Sequence, residues 1–217
     1  LEALRRYHLL DTAPEESLDD VTHLAAYICG TPTALISLVD ETRQWFKSRF
    51  GLELTETPRE QAFCAHTILQ PDLLEVEDAR ADARFADNPL VQSDPKIRFY
   101  AGAPLRTAEG LALGSLCVID LAPRKLSNDQ RDALNRLARL VMKAFEVRRV
   151  ADALASASAS VKVLSGMLPI CAGCKQIRND RGYWQQVENY VEQHSEASFS
   201  HSLCPECAKK YFPGLAK

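Results

Sequence analysis

The sequence predicts an α+β fold: a central antiparallel sheet of about five strands flanked by helices, continued by a long connecting helix and a small four-cysteine module of zinc-finger type. Three observations carry this expectation. Apolar runs of strand length recur as far as Pro123, the stretch from Arg124 to Ser165 contains neither proline nor glycine, and the last fifty residues hold two Cys-x-x-Cys pairs.

Taken in order, "DTAPEESLDDVTHLAAYIC" reads as a helix entered through Asp11 and Thr12, with Pro14 in its first turn and Gly30 at its end. Leu18, Val21, Leu24, Ala25 and Ile28 form its apolar stripe. "TALISLVDE" reads as a buried strand and "QWFKSRFGL" as an alternating one. "REQAFCAHTILQ" is a short helix carrying Phe63, Cys64 and His66, and "LLEVEDA" is another strand. Arg80 to Pro95 holds two prolines and an Asp-Asn-Pro turn signal, so a long loop with one helical turn is expected there. "IRFYAGAPL" and "LALGSLCVIDLAP" are strands joined through "RTAEG" as a hairpin.

A helix from about Ser127 to Ser165 follows, capped by Ser127 or Asn128. Leu140, Ala144, Val147, Ala151, Leu154, Ser158, Val161, Ser165 and Leu168 recur at alternating spacings of four and three, the seam of a coiled coil. Its small Ala and Ser positions bury little area, so the seam is expected to hold a homodimer whose register shifts easily; the competing reading is a flexible Ala/Ser linker beyond Arg149.

Hydrophobic residues make up 46% and charged ones 25%, the balance of a globular protein. With 26 Lys and Arg against 29 acids, the net charge of −3 supplies no field to draw in nucleic acid or an anionic membrane. Neither an apolar run long enough to span a bilayer nor a signal-peptide pattern is present, so a cytoplasmic location is expected. An odd count of seven cysteines in a reducing compartment argues against a disulfide framework. The chain begins with Leu1 rather than Met, as a piece of a longer protein would.

The run from "LRRYHLLDTAPEES" through "TALISLVDETRQWFKSRFGL", then "AFCAHTI", "RFADNPLV", "IRFYAGAPL" and "GSLCVID", resembles the GAF domain of bacterial sensor histidine kinases and diguanylate cyclases. The resemblance covers about residues 1–149 and implies a PAS-like antiparallel sheet, a pocket between the sheet and a capping loop and helix, and a signal leaving along the C-terminal helix. It leaves the ligand open: members bind cyclic nucleotides, bilins, haem, small organic acids or nothing known, and some only dimerise. The positions expected to line the pocket are Phe63, His66, Asp87, Arg98, Tyr100 and Cys117. Arg98 suits an anionic ligand, or equally a solvated strand position or a pairing with Asp87. Cys64 and His66, two apart on a helix, point away from each other and do not share one centre. Cys29, Cys64 and Cys117 read as small buried apolar residues. Free-methionine sulfoxide reductases place reactive cysteines on the same fold, in a pattern this chain does not show.

Cys171, Cys174, Cys204 and Cys207 form two Cys-x-x-Cys pairs 29 residues apart, the donor set of a tetrahedral Zn²⁺ site. Between them "KQIRNDRGYW" reads as a hairpin turning at residues 179–182, and Trp184, Val187, Tyr190 and Val191 as one helical face. Cys207 is expected in the first turn of a terminal helix, where the helix dipole favours a thiolate. This order, knuckle then hairpin then knuckle at a helix start, resembles a treble-clef zinc finger, and the segment from Leu168 resembles C-terminal tails of bacterial signalling proteins. Its six Lys and Arg against five acids do not support nucleic-acid binding.

The expected whole is a non-catalytic cytoplasmic signalling protein: a GAF domain over residues 1–149, a helical linker over 150–167 and a zinc-binding module over 168–217. It would sense a small molecule or dimerise through the helix of residues 127–165, and dock a protein partner through Trp184, Tyr190 and Phe212. The alternative is a thiol-based redox sensor or reductase using the Cys-x-x-Cys pairs.

Overall fold

The structure is a computed structural model that describes residues 1–160, 168–179, 181–195 and 197–212, with side chains 158–160 excepted. It divides into two units, Leu1–Asp152 and Ala153–Lys217.

In the first unit, helices α1 (Glu2–Arg6) and α2 (Glu16–Cys29) precede strands β1 (Thr33–Val39), β2 (Arg43–Phe50) and β3 (Glu56–Pro58). A 3₁₀ turn (Arg59–Gln61) leads into α3 (Phe63–Thr67), then β4 (Leu74–Val76), α4 (Pro89–Gln92), β5 (Phe99–Arg106) and β6 (Ala112–Asp120). Helix α5 (Asn128–Ser160) starts in the first unit and runs into the second. The sheet has six strands in the order β3-β2-β1-β6-β5-β4, every neighbouring pair antiparallel. The strand absent from the sequence reading is β3, three residues long and largely exposed, which carries no apolar run to announce it.

Alternation along the central strands builds a core on each face. Ala34, Ile36 and Leu38 of β1, with Phe99, Ala101 and Ala103 of β5, face α1, α2 and α5; Leu35 and Val39, with Tyr100 and Cys117, face α3 and the loop around α4. Helix α2 begins four residues later than its capping signals imply, because the chain is still extended at Glu15. Its buried stripe is Leu18, Thr22, Ala25, Ala26 and Cys29, while Leu24 and Ile28 are exposed. Small residues on that stripe let the helix lie close to the sheet, which outweighs placing the larger side chains there. Gly30 ends α2 in the left-handed conformation, φ 65°, that glycine adopts without penalty.

Strand β2 departs from alternation at a bulge. Ser37 pairs with Phe46 but Ile36 pairs with Ser48, so Lys47 is the extra residue. Phe46 belongs to the α3 face, whereas Lys47 and Ser48 both reach the α2 face, Lys47 to Thr12, Ala13 and Glu15 and Ser48 to Asp19 and Thr22.

At the β1–β6 pairing, Gly114 lies opposite Leu38 and Ser37 lies opposite Ser115. A Cβ at Gly114 would sit 1.8 Å from the Ser37 carbonyl oxygen, a backbone atom that cannot swing aside. Gly114→Ala is expected to destabilise the first unit by about 1–3 kcal/mol, the usual cost of forcing an extra carbon into a packed site. Denaturation followed by Trp45 fluorescence in a Trp184→Phe background reads this directly, since the two tryptophans lie in different units.

In the second unit β7 (Ile177–Arg178) and β8 (Trp184–Gln185) form a hairpin, followed by α6 (Val187–His194) and α7 (Pro205–Tyr211). The predicted turn is present, with Asn179 donating to Tyr183 and Gly182 at φ 85°; Asp180 lies outside the described residues. Trp184 stands in β8 rather than on the face of α6, because the hairpin extends two residues beyond its turn before the helix begins. Val161 and Ser165 of the heptad seam, and the rest of residues 161–167, lie outside the described residues.

Candidate functional site

The α3 face of the sheet encloses a cavity of about 230 Å³. Leu35 of β1, Gln44 and Phe46 of β2, Thr57 of β3, Phe63 and Cys64 of α3, and Tyr100 of β5 contribute to its wall, and the loop after α4 closes it with Ile97. Phe63 is fixed by stacking on Phe85, ring centroids 4.1 Å apart, and Phe85 is itself buried in the loop before α4. Asn88 caps α4 and donates to the Gln61 carbonyl, tying that loop to the start of α3.

Two predicted positions, Phe63 and Tyr100, line this cavity. Cys117 is buried behind it, with Sγ 3.7 Å from Cys64 Sγ. The Tyr100 hydroxyl lies 2.6 Å from Thr67 Oγ1 and 3.4 Å from both Cys64 Sγ and Ser115 Oγ. Burial raises the Cys64 thiol, but hydrogen bonds from Cys117, Ser115, Ser37 and Tyr100 more than offset it and bring it to about 7. The hydrogen bond to Cys64, with burial, holds Cys117 well above its ordinary value, so Cys64 is the first of the pair to lose a proton.

The other three predicted positions stand elsewhere. His66 faces an open groove beside Glu41, Arg59 and Glu60 and packs edge-on against Phe85; burial, then the Arg84 charge, lowers its pKa. Cys64 and His66 thus diverge, as their spacing implies. Asp87 is exposed. Arg98 does not pair with Asp87: its Nε and one terminal nitrogen hold both oxygens of Asp78, at 2.8 and 2.6 Å, and that bidentate hydrogen bond depresses Asp78 to about 2. Sequence reasoning missed Gln44 and Thr57, which face each other across the β2–β3 pairing. Gln44 Oε1 and Thr57 Oγ1 are the buried side-chain polar atoms among the described residues that have no hydrogen-bond partner, and both residues line the cavity.

A second feature is the face of α5 turned from the sheet. Leu134, Ala138, Val141, Met142 and Phe145 pack into the core, whereas Leu140, Val147 and Leu154 of the heptad seam are 53%, 70% and 69% exposed.

In the second unit each cysteine pair occupies a turn. Lys175 N–H donates to the Cys171 carbonyl, Cys171 N–H donates to the Gln176 carbonyl, and Lys175 takes φ 62°. Cys204 is the N-cap of α7, its sulfur 3.5 Å from the Cys207 amide, and Pro205 occupies the first helical position. Backbone N–H groups, led by those of Cys174 and Cys207 respectively, lower the Cys171 and Cys204 thiols. Among the described residues no group of three or more His, Cys, Asp or Glu stands close enough to hold one ion, so the two pairs are not brought together as the expected four-sulfur site requires.

This architecture defines a sensory module. The GAF domain model matches residues 13–145, more than half the chain, and the chain belongs to the GAF domain family. A cyclic di-GMP phosphodiesterase of Pseudomonas aeruginosa is 51% identical over 135 residues, which are 62% of this chain and 23% of that protein. The chain therefore corresponds to about a quarter of that relative's length. Among solved structures, the GAF domain of an Acinetobacter phosphoenolpyruvate-protein phosphotransferase covers 70% of this chain and 95% of its own at TM-score 0.52 and 17% identity. The free methionine-R-sulfoxide reductase of Neisseria meningitidis, in complex with its substrate, covers 69% and 90% at TM-score 0.52 and 19% identity. Likeness at these identities concerns the fold. Apart from enzymes such as that reductase, GAF domains are sensory and regulatory modules, and this one has an α+β fold with a long C-terminal helix. No helix among the described residues is long and apolar enough to cross a membrane.

Proposed function

We propose that the chain is a cytoplasmic bacterial signalling protein whose GAF domain senses a small molecule in the cavity on the α3 face. It acts as a homodimer through α5 and carries a structural-zinc module that docks a protein partner. The observation that carries the sensing role is the enclosed, largely apolar cavity, whose volume packed protein interiors do not ordinarily leave empty. Thermal shift of the full chain against small organic molecules is expected to yield stabilising compounds whose effect Ala62→Leu, which intrudes on the cavity, removes. Stabilisation indifferent to Ala62→Leu, or none at all, overturns this role.

The dimer reading rests on the two-faced helix: one stripe of α5 is in the core, and the opposite apolar stripe is exposed at heptad spacing. A charge placed in such a seam disfavours pairing, so Val147→Glu and Leu154→Glu are each expected to weaken dimerisation at least about tenfold, or about 1.4 kcal/mol. Sedimentation across a concentration series checks this, and a monomeric parent chain refutes it.

In the tail, Zn²⁺ would be held by Cys171, Cys174, Cys204 and Cys207, supplying a fixed tetrahedral crosslink and no reaction. Support comes from the amide-to-sulfur geometry and lowered thiols of Cys171 and Cys204. Trp184 and Phe212, both exposed, would then face the partner, while Tyr190 belongs to the module's own small core. A second reading, a thiol-based redox sensor, rests on the closeness of the sulfurs within each pair, which hydrogen-bond one another.

A further inference from the structure

The chemistry of the cavity narrows what it can hold, on the reading that it is the ligand site. Among the described residues, none of those lining it is cationic: its wall is aliphatic and aromatic, with the Cys64 thiol and a few hydroxyl and amide groups. A phosphate or carboxylate would enter without a cation to meet it, and burying an unpaired charge is strongly unfavourable. The volume of about 230 Å³ also falls below the roughly 300–1,000 Å³ of sites that take drug-sized ligands and cofactors. Charge and size together therefore disfavour nucleotides, haems and bilins.

Against this apolar wall stand two polar atoms without partners. Gln44 is 5% exposed, its Oε1 is buried and unbonded, and directly across the β2–β3 pairing the buried hydroxyl of Thr57 is unbonded as well. Directly opposed residues in an antiparallel pair project to the same face about 5 Å apart, so both atoms address one end of the cavity. An unpaired buried polar atom is costly enough that native structures rarely leave one unexplained, and here two adjoin the same space. Oε1 requires a donor, while the threonine hydroxyl donates or accepts. One group satisfies both at once: a neutral hydroxyl that donates to Gln44 and accepts from Thr57.

We propose that the cavity binds a small neutral alcohol or phenol, with its hydrocarbon body against Leu35, Phe46, Phe63 and Ile97 and its hydroxyl between Gln44 and Thr57. Leu54 and Leu121, lining residues that are about half exposed, mark the mouth. Hydrogen bonding then selects among apolar molecules of similar size, and the absence of a cation rejects acids.

Three probes of similar shape test this on the full chain by calorimetric titration: 4-methylphenol, toluene and 4-methylbenzoate. The phenol is expected to bind roughly five- to a hundredfold more tightly than toluene, the effect of two net hydrogen bonds, and the benzoate not at all. Gln44→Met keeps the volume and removes the oxygen, so it is expected to cut the phenol's advantage by about three- to tenfold with little effect on toluene, and Thr57→Val, at the exposed sheet edge, should cut it likewise. Toluene and phenol binding equally, or an advantage unchanged in Gln44→Met, overturns the hydroxyl assignment and leaves the cavity a ligand site. Preferred binding of the benzoate overturns the neutral class. Binding of none of the three overturns the ligand-site reading itself, and this inference with it.

Discussion

On the zinc reading, treatment with a chelator, or replacing Cys204 by serine, is expected to unfold residues 168–212 while the GAF domain's own transition stays in place. Among the described residues of that segment only Ile177 and Tyr190 are buried hydrophobics, whereas Ile170, Tyr183, Trp184, Phe199, Leu203, Tyr211 and Phe212 are all exposed. Two buried side chains contribute roughly 3–6 kcal/mol at best, far short of the ordering entropy of some forty residues. A structural Zn²⁺ contributes about 10–16 kcal/mol, which is the scale required. Purified chain is thus expected to hold one zinc per molecule. Cys29, Cys64 and Cys117 are buried in the GAF domain, so a thiol reagent too large for the cavity that Cys64 lines should find no reactive cysteine before chelation, four after it, and seven on denaturation. Trp184 fluorescence, in a Trp45→Phe background, should change on chelation. Metal-free protein with the pairs as reversible disulfides would establish the redox reading in its place.

The central strands of the GAF domain were legible as apolar runs with turn residues at their ends: "TALISLVDE", "IRFYAGAPL" and "LALGSLCVIDLAP" match β1, β5 and β6 to within three residues. Phe63 and Tyr100, placed at a pocket through the family resemblance, line the cavity. What local pattern could not give was anything set by register or by a distant partner. Gln44 matters because β3 lies opposite it, and β3, "ETP", resembles a loop. Arg98 closes on Asp78 rather than Asp87, a choice fixed by where the loop leaves β4. The start of α2 illustrates the same limit. Asp11, Thr12 and Pro14 have the residue types of a helix start, yet Thr12 Oγ1 and the Ala13 carbonyl are taken by Lys47, and Asp11 pairs with Arg43. Those tertiary bonds keep the chain out of a helix until Glu15, overriding the local signal.

Lys47 is the residue whose replacement should most damage the first unit. Its side chain is fully buried, and its ammonium spends all three donors at 2.7 Å: on Glu15 Oε1, Thr12 Oγ1 and the Ala13 carbonyl. Glu15 also pairs with Arg148 of α5, and Tyr7 and Arg149 both engage Glu146 two residues earlier, so this segment fastens β2 to the helix that leaves the domain. Removing the lysine leaves two acceptors without a donor and withdraws one of the two cations from a carboxylate that is about one-third exposed. Full loss of one partner of a buried pair costs about 3–5 kcal/mol; discounted for the water that reaches Glu15, Lys47→Ala is expected to cost about 2–4 kcal/mol. Lys47→Met separates the causes, since it keeps the buried stem and deletes only the charge and its hydrogen bonds. If Lys47→Met loses nearly as much as Lys47→Ala in Trp45-detected denaturation, the ion network holds the N-terminal segment. If it restores the stability of the parent chain, packing of the stem does.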